Sequence, residues 1–148
     1  MTEKRFGFIA VIGPPNAGKS TLSNALVGQK VAIVTHKAQT TRARLRSVVM
    51  HEQSQVVLVD TPGIFSGVKK LDKAMVQEAW SGAEEADAVL VVLDASRALP
   101  AETELVLAGV KGTSKPVILV LNKVDAVKRE KLLELTQQLN EAADFTDT

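Results

Sequence analysis

The chain has 148 residues, enough for one domain with a buried core but short of two, and its 45% hydrophobic and 24% charged residues are typical of a globular protein. The absence of cysteine excludes disulfides and thiolate sites, and no apolar run approaches the roughly 20 residues that cross a bilayer. The net charge of +1 excludes no partner, but residues 30–46 carry five Lys and Arg and no acidic residue. This segment is either a solvated loop or a surface for phosphate-rich or RNA partners. The first residues lack a signal-peptide cleavage site, so we expect a cytoplasmic protein.

Short runs of Val, Ile and Leu alternate along the chain with segments of helical spacing. The apolar runs are 6–12, 56–59, 88–93 and 116–121, and the helical segments are 19–27, 71–83, 103–110 and 132–142. This alternation predicts an α/β fold, a mostly parallel sheet with helices on both faces. Residues 45–50 and 55–59 are too close for a crossover, so they predict a hairpin with one antiparallel edge strand. Segments 29–42 and 64–70 fit neither pattern.

The first apolar run ends in a glycine-rich loop. Gly13-Pro-Pro-Asn-Ala-Gly18-Lys19-Ser20 fits G-x-x-x-x-G-K-[ST] between a strand and a helix, which is the context of a phosphate-binding loop. Backbone N–H groups from Asn16 through Ala17 to Thr21 can surround a phosphate at the positive end of the helix dipole. Lys19 can reach the terminal phosphates, and the Ser20 hydroxyl can bind Mg²⁺. A chance glycine-rich turn is the alternative, and the loop alone suits ATP as well as GTP.

The second apolar run ends in Asp60-Thr61-Pro62-Gly63, at the sheet edge where open α/β sheets present ligand groups. Asp60 can hold Mg²⁺ through a water, and the N–H of Gly63 can meet a γ-phosphate oxygen. An Asp and a Gly after a strand also form ordinary turns, so this motif alone indicates little.

The last apolar run ends in Asn122-Lys123-Val124-Asp125. An aspartate can accept two hydrogen bonds from guanine, from N1–H and from the exocyclic amine, and adenine offers no such pair. The stem of Lys123 can lie along the base, and Asn122 can brace the loops. The structural alternative is that Asp125 caps the last helix. The order of the three motifs, each at a strand end, predicts guanine specificity.

With these motifs and the segment KAQTTR at residues 37–42, the chain resembles the translation-factor-related GTPases. More narrowly, it resembles the Era-type GTPases of bacterial small-subunit assembly. The resemblance implies a Ras-like P-loop domain that binds GTP or GDP with Mg²⁺ and hydrolyses GTP as a switch. Its implied partners are the small ribosomal subunit and 16S rRNA, with peripheral membrane association as a further option. It places the switch regions at 30–44 and 64–73 and the γ-phosphate-sensing Mg²⁺ ligand at Thr40 or Thr41, of which we favour Thr41.

Position 64 bears on catalysis because Ras-like enzymes place a water-orienting glutamine directly after the motif glycine. Here it is Ile64, which has no polar group. In related GTPases with this loop form, an asparagine at the position of Asn16 helps bind K⁺ beside the phosphates. The resemblance therefore implies a K⁺ at Asn16, whose amide otherwise only braces the loop. The expected catalytic residues are Asn16, Lys19, Thr41 and Gly63.

The resemblance also implies a sixth strand with a Ser-Ala guanine motif, a closing helix and a C-terminal KH domain that reads RNA. We expect residues 1–148 to be a C-terminally incomplete GTP-binding domain without a KH domain, with strand 116–121 as an unpaired edge. Two alternatives stay open. One is a GTP-binding module with negligible turnover, and the other is a related GTPase of tRNA modification or membrane iron transport.

Overall fold

A computed structural model describes residues 4–14, 17–27, 32–34, 45–60, 80–81, 83–97 and 101–148. Within these ranges six strands form one sheet, in the order β2-β3-β4-β1-β5-β6. The strands and helices are β1 (Arg5–Ile12), α1 (Lys19–Val27), β2 (Ala32–Val34), β3 (Leu45–His51), β4 (Ser54–Asp60), β5 (Ala88–Asp94), α2 (Ala101–Gly112), β6 (Val117–Asn122) and α3 (Arg129–Ala142). A short 3₁₀ turn, Val124–Ala126, follows β6.

The centre of the sheet is parallel, as the sequence predicts. Strand β1 pairs in parallel with β4 and β5, and β5 pairs in parallel with β6. Strand β3 pairs antiparallel with β4 through a two-residue turn, which confirms the predicted hairpin. Val89, Val91 and Val92 of β5 are fully buried. Apolar residues occupy both faces of this strand because helices cover both sides of the sheet.

Two buried clusters lie on opposite faces of the sheet. One joins alternate residues of β1 and β5 to α2, α3 and Trp80, with Ile12, Leu119 and Leu139 among its largest members. The other contains Val11, Leu58 and Val92 and receives Leu22 of α1. The predicted α/β architecture with helices on both faces is confirmed. No helix in the described ranges is both long and apolar enough to span a membrane.

The single antiparallel strand expected from the sequence is present as β3, but its expected position at the sheet edge is wrong. Strand β2 pairs antiparallel with β3 on its outer side, so β3 is an internal strand of the described sheet. Three residues are too few to show a periodic pattern, and for this reason the segment 29–42 gave no strand signal.

The prediction that strand 116–121 has an unpaired edge is also wrong over its first half. The N–H of Thr146 donates to the carbonyl of Val117 at 2.8 Å, and the N–H of Leu119 donates to the carbonyl of Asp147 at 2.9 Å. These bonds form a parallel bridge between Ile118 and Asp147. The polar residues 146–148 carry no strand pattern, but backbone pairing depends on main-chain groups rather than on side-chain periodicity.

Candidate functional site

The carboxyl ends of the parallel strands bring the predicted motifs to one edge of the sheet. The glycine loop follows β1, Asp60 ends β4, and the N-K-x-D segment begins at the last residue of β6. In the register of the sheet, Asp60 lies opposite Val11, and Asp94 lies opposite Asn122. Segments that are far apart in sequence therefore meet where an open α/β sheet binds its ligands.

Both glycines of the loop are required by close contacts within the protein. A Cβ on Gly13 would overlap the carbonyl oxygen of Val92, on the neighbouring strand β5. Gly18 has φ +94°, a left-handed conformation that side chains disfavour, and a Cβ there would overlap the amide of Asn122. Both glycines of the motif are therefore needed for packing against β5 and the last motif, in addition to any contact with a phosphate.

Lys19 is turned into the glycine loop and is only 3% exposed. Its Nζ donates hydrogen bonds to the carbonyls of Gly13 at 2.5 Å and Pro14 at 3.3 Å. The loop is also closed by its own backbone, since the N–H of Ala17 donates to the Pro14 carbonyl at 3.3 Å. The ammonium group therefore lies against the carbonyls that begin the loop, where it can act as a point charge on a phosphate.

Asn122 connects the last motif to the first. Its Nδ2 donates to the carbonyl of Ala17 at 2.9 Å, across a separation of 105 residues. The main-chain carbonyl of Asn122 accepts a hydrogen bond from the N–H of Ala95 at 2.9 Å. Asn122 thus holds the glycine loop, the end of β5 and the end of β6 together, which confirms the predicted bracing role.

Lys123 has the left-handed backbone conformation φ 62°, ψ 38°. Its ammonium group lies 3.1 Å from Oδ2 of Asp94, with the two side chains 41% and 11% exposed. The other carboxylate oxygen, Oδ1, accepts hydrogen bonds from the Ser96 N–H at 2.9 Å and from its hydroxyl at 2.5 Å.

Sequence reasoning missed Asp94 as a member of this site. The available signal was an acidic residue directly after a buried apolar run, at the same sheet edge as the motifs. Burial of the carboxyl raises its pKa, but the hydrogen bonds from Ser96 and the contact with Lys123 outweigh burial and hold the pKa of Asp94 below its ordinary value of 3.8. Asp94 is therefore anionic at neutral pH and attracts the ammonium of Lys123.

Asp125 lies in the 3₁₀ turn and is exposed. The capping alternative for this residue is wrong, because Lys128 is the N-cap residue of α3 and the helix begins at Arg129. Asp125 is thus not the N-cap of α3, and it lies three residues beyond Asn122 in the first turn of the 3₁₀ segment.

The remaining predicted site residues fall into two groups. Thr21 is exposed in the first turn of α1, and the backbones of Ser20 and Asp60 lie in α1 and at the end of β4. The other predicted residues lie outside the described ranges, and they are Asn16, Thr40, Thr41, Gly63 and Ile64. Among the described residues, no three His, Asp or Glu side chains are grouped as a metal site would need.

Comparisons with known proteins agree with this geometry. The family described as 50S ribosome-binding GTPase matches residues 8–123. The GTPase Era of Bradyrhizobium diazoefficiens is 56% identical over 144 residues, which is 97% of this chain and 47% of that protein. The chain therefore spans about half the length of the curated relatives it matches.

Solved structures of Era are also similar. A point variant of Aquifex aeolicus Era bound to GDP·AlF₄⁻ is 35% identical with a TM-score of 0.72, over 97% of this chain and 50% of that one. Era in complex with MgGDPNP and nucleotides 1506–1542 of 16S rRNA has the same identity and coverage and a TM-score of 0.74. These similarities confirm the resemblance to Era-type GTPases. The chain belongs to the family of 50S ribosome-binding GTPases, and within it to the Era type.

Proposed function

We propose that the protein binds guanine nucleotides and hydrolyses GTP to GDP and phosphate. The observation that carries the proposal is the hydrogen bond from Asn122 to the carbonyl of Ala17. It joins a segment with the residues of a guanine-binding motif to a loop with the residues of a phosphate-binding motif. One nucleotide can therefore bridge the two, with its phosphates at Lys19 and its base at Asp125.

At the phosphate end, the chain supplies positive charge and backbone donors. The Lys19 ammonium and the N–H groups at the start of α1 can stabilise the negative charge that develops on the phosphates. Ser20, Thr41 and Asp60 are the residues we propose to hold Mg²⁺, and hydroxyl and carboxylate oxygens suit this hard cation. When bound, Mg²⁺ would neutralise phosphate charge during transfer.

The base end is tested by substituting Asp125. A carboxylate accepts from guanine N1–H and the amine, whereas xanthine carries a second carbonyl in place of the amine. The change Asp125→Asn supplies an amide donor for that carbonyl, so we expect GDP affinity to fall at least about 100-fold and xanthosine diphosphate affinity to rise. Calorimetric titration of both nucleotides measures this. Equal GDP affinity in the variant and the wild type would contradict a base-reading role for Asp125.

Catalysis without a polar side chain at position 64 needs another source of positive charge. We propose that Asn16 helps to bind K⁺ beside the phosphates, and that Thr41 and Gly63 contact the γ-phosphate. Phosphate release from GTP should then be faster in K⁺ than in Na⁺, and Asn16→Ala should remove most of that difference. Turnover that is equal in the two salts would argue against a K⁺ role. Nucleotide binding without turnover in either salt would favour a binding module with negligible activity.

The proposed biological role is a switch in assembly of the small ribosomal subunit in the cytoplasm. The family description refers to the 50S ribosome, but the solved Era complex contains a fragment of 16S rRNA, which belongs to the small subunit. That Era is 35% identical to this chain, so we base the choice of ribosomal subunit on it rather than on the family description. The basic segment 30–46 is a candidate RNA contact in addition to the KH domain that the resemblance implies.

A further inference from the structure

We propose that Asp94 is a positioning residue for the guanine site and acts by holding Lys123 across the edge of the base pocket. This inference rests on the proposed function, because it concerns how the same site binds the guanine base. Asp94 belongs to none of the motifs from which the nucleotide was predicted, and its role follows from its contacts.

The carboxylate of Asp94 is itself held in a fixed orientation. It ends β5 opposite Asn122 in the register of the sheet, so the strand pairing sets its backbone. Ser96 donates two hydrogen bonds to Oδ1, one from its N–H and one from its hydroxyl. Oδ2 is thereby left pointing at Lys123, and it accepts from the ammonium at 3.1 Å. With a side chain 11% exposed, Asp94 is a partly buried anchor for a more exposed cation.

Lys123 needs such an anchor because its backbone conformation is unfavourable. A non-glycine residue in the left-handed region at φ 62° is strained and persists only where its surroundings hold it. The side chain also passes the glycine loop, since Cε lies 4.0 Å from the point where a Cβ on Gly18 would stand. Anchoring the ammonium at Asp94 therefore stretches the apolar stem of Lys123 between the β5 end and the glycine loop.

A stretched stem is preorganised as one wall of a pocket for a planar base. A side chain already held in its binding conformation loses less entropy when a ligand arrives, and so it increases affinity. Asp94 would contribute in this way to binding of the guanine ring without touching it. The phosphate end of the site, which depends on Lys19 and the backbone of the glycine loop, would be unaffected.

The test measures binding of a fluorescent GDP analogue, mant-GDP, to wild type, Asp94→Asn, Asp94→Glu and Lys123→Met. Asp94→Asn should weaken binding about three- to tenfold, as expected for loss of a partly exposed ion pair, mainly through faster dissociation. Asp94→Glu keeps the charge and should recover most of the affinity. The matched control is Asp87→Asn, directly before β5 and therefore at the opposite edge of the sheet from Asp94, where the carboxylate accepts from the N–H of Phe8 at 2.8 Å. Its affinity should equal that of the wild type.

The double variant Asp94→Asn with Lys123→Met separates positioning from a general structural effect. If Asp94 acts through Lys123, the double variant binds no more weakly than Lys123→Met alone. A further three- to tenfold loss in the double variant would overturn the proposal, and so would wild-type affinity in Asp94→Asn. If Asp94→Asn does not fold, Ser96→Ala provides the second test. This variant keeps the Asp94 carboxylate but removes the hydrogen bond from the Ser96 hydroxyl. We expect mant-GDP affinity to fall about twofold, and an unchanged affinity would contradict the role of Asp94.

The wild-type titration distinguishes failure of the proposed function from failure of the Asp94 role. A wild-type chain that binds no mant-GDP overturns the proposed function and this inference together. A wild-type chain that binds, with an Asp94→Asn variant that binds equally well, overturns only the role of Asp94.

Discussion

At the scale of single residues, Gly18 connects the phosphate loop to the guanine loop. It has a left-handed φ of +94°, and its missing side chain leaves the space in which the Asn122 amide reaches the carbonyl of Ala17. A side chain at position 18 would therefore disturb both loops at once.

We expect Gly18→Ala to lower the free energy of unfolding by about 1–3 kcal/mol, since alanine is strained at this φ. It should also weaken GDP binding, because the new Cβ displaces the Asn122 amide. Urea denaturation followed by mant-GDP titration measures both effects. The matched control is Gly112→Ala at the end of α2, where a Cβ would meet nothing within 4 Å. A Gly18→Ala chain as stable as this control would contradict the explanation.

Residue identities in the site were largely predictable from the sequence, but their connections were not. Gly13, Gly18, Lys19, Asn122 and Asp125 were predicted from motif spacing, since each motif fixes which residue types a phosphate or a guanine needs. The pairing of Asp94 with Lys123 depends on which strands are neighbours in the sheet. A pair of charges separated by 29 residues carries no signal of its own in a single sequence.

At the scale of elements, α3 shows how apolar spacing decides burial. Leu139 is fully buried in the cluster formed with β5, β6 and α2, whereas Leu133 on the same helix is 64% exposed. The sequence places Leu132, Leu135 and Leu139 on one face, and Leu133 falls outside that face. The two leucines are chemically identical, so the helix carries its own control.

We expect Leu139→Ala to lower the free energy of unfolding by about 2–5 kcal/mol, because it removes buried apolar surface and leaves a cavity. Leu133→Ala should change stability by no more than about 0.5 kcal/mol. Chemical denaturation of both variants provides the measurement. Similar losses in the two variants would mean that α3 does not pack as described.

Elements with a long pattern were predictable, and short or polar ones were not. The sequence predicts a first helix at 19–27, and the structure gives α1 the same bounds, while other boundaries differ by up to a few residues. Strand β2 and the bridge at Asp147 escaped prediction because both depend on pairing of backbone groups by tertiary neighbours. Main-chain hydrogen bonds do not require any particular pattern of side chains along the sequence.

At the scale of the whole molecule, the sheet determines the site. The order of elements predicts a mostly parallel sheet, and a parallel sheet places the carboxyl ends of its strands at one edge. The α/β class and the approximate position of the site therefore follow from the sequence alone. The contacts among the glycine loop and the segments that follow β5 and β6 depend on the strand order β1-β5-β6.

The hydrogen bond between Asn122 and Ala17 has a consequence for how a whole nucleotide would bind. It sets the distance between the phosphate loop and the guanine loop, so the site would hold a nucleotide at two linked points. A guanosine or a pyrophosphate alone would each lose the translational and rotational freedom of a separate molecule on binding. Once the first end of a nucleotide is bound, its second end meets a partner at high effective concentration and at the correct spacing. Much of the affinity for the intact nucleotide would then arise from the connection between its two halves, and breaking this one hydrogen bond would diminish it.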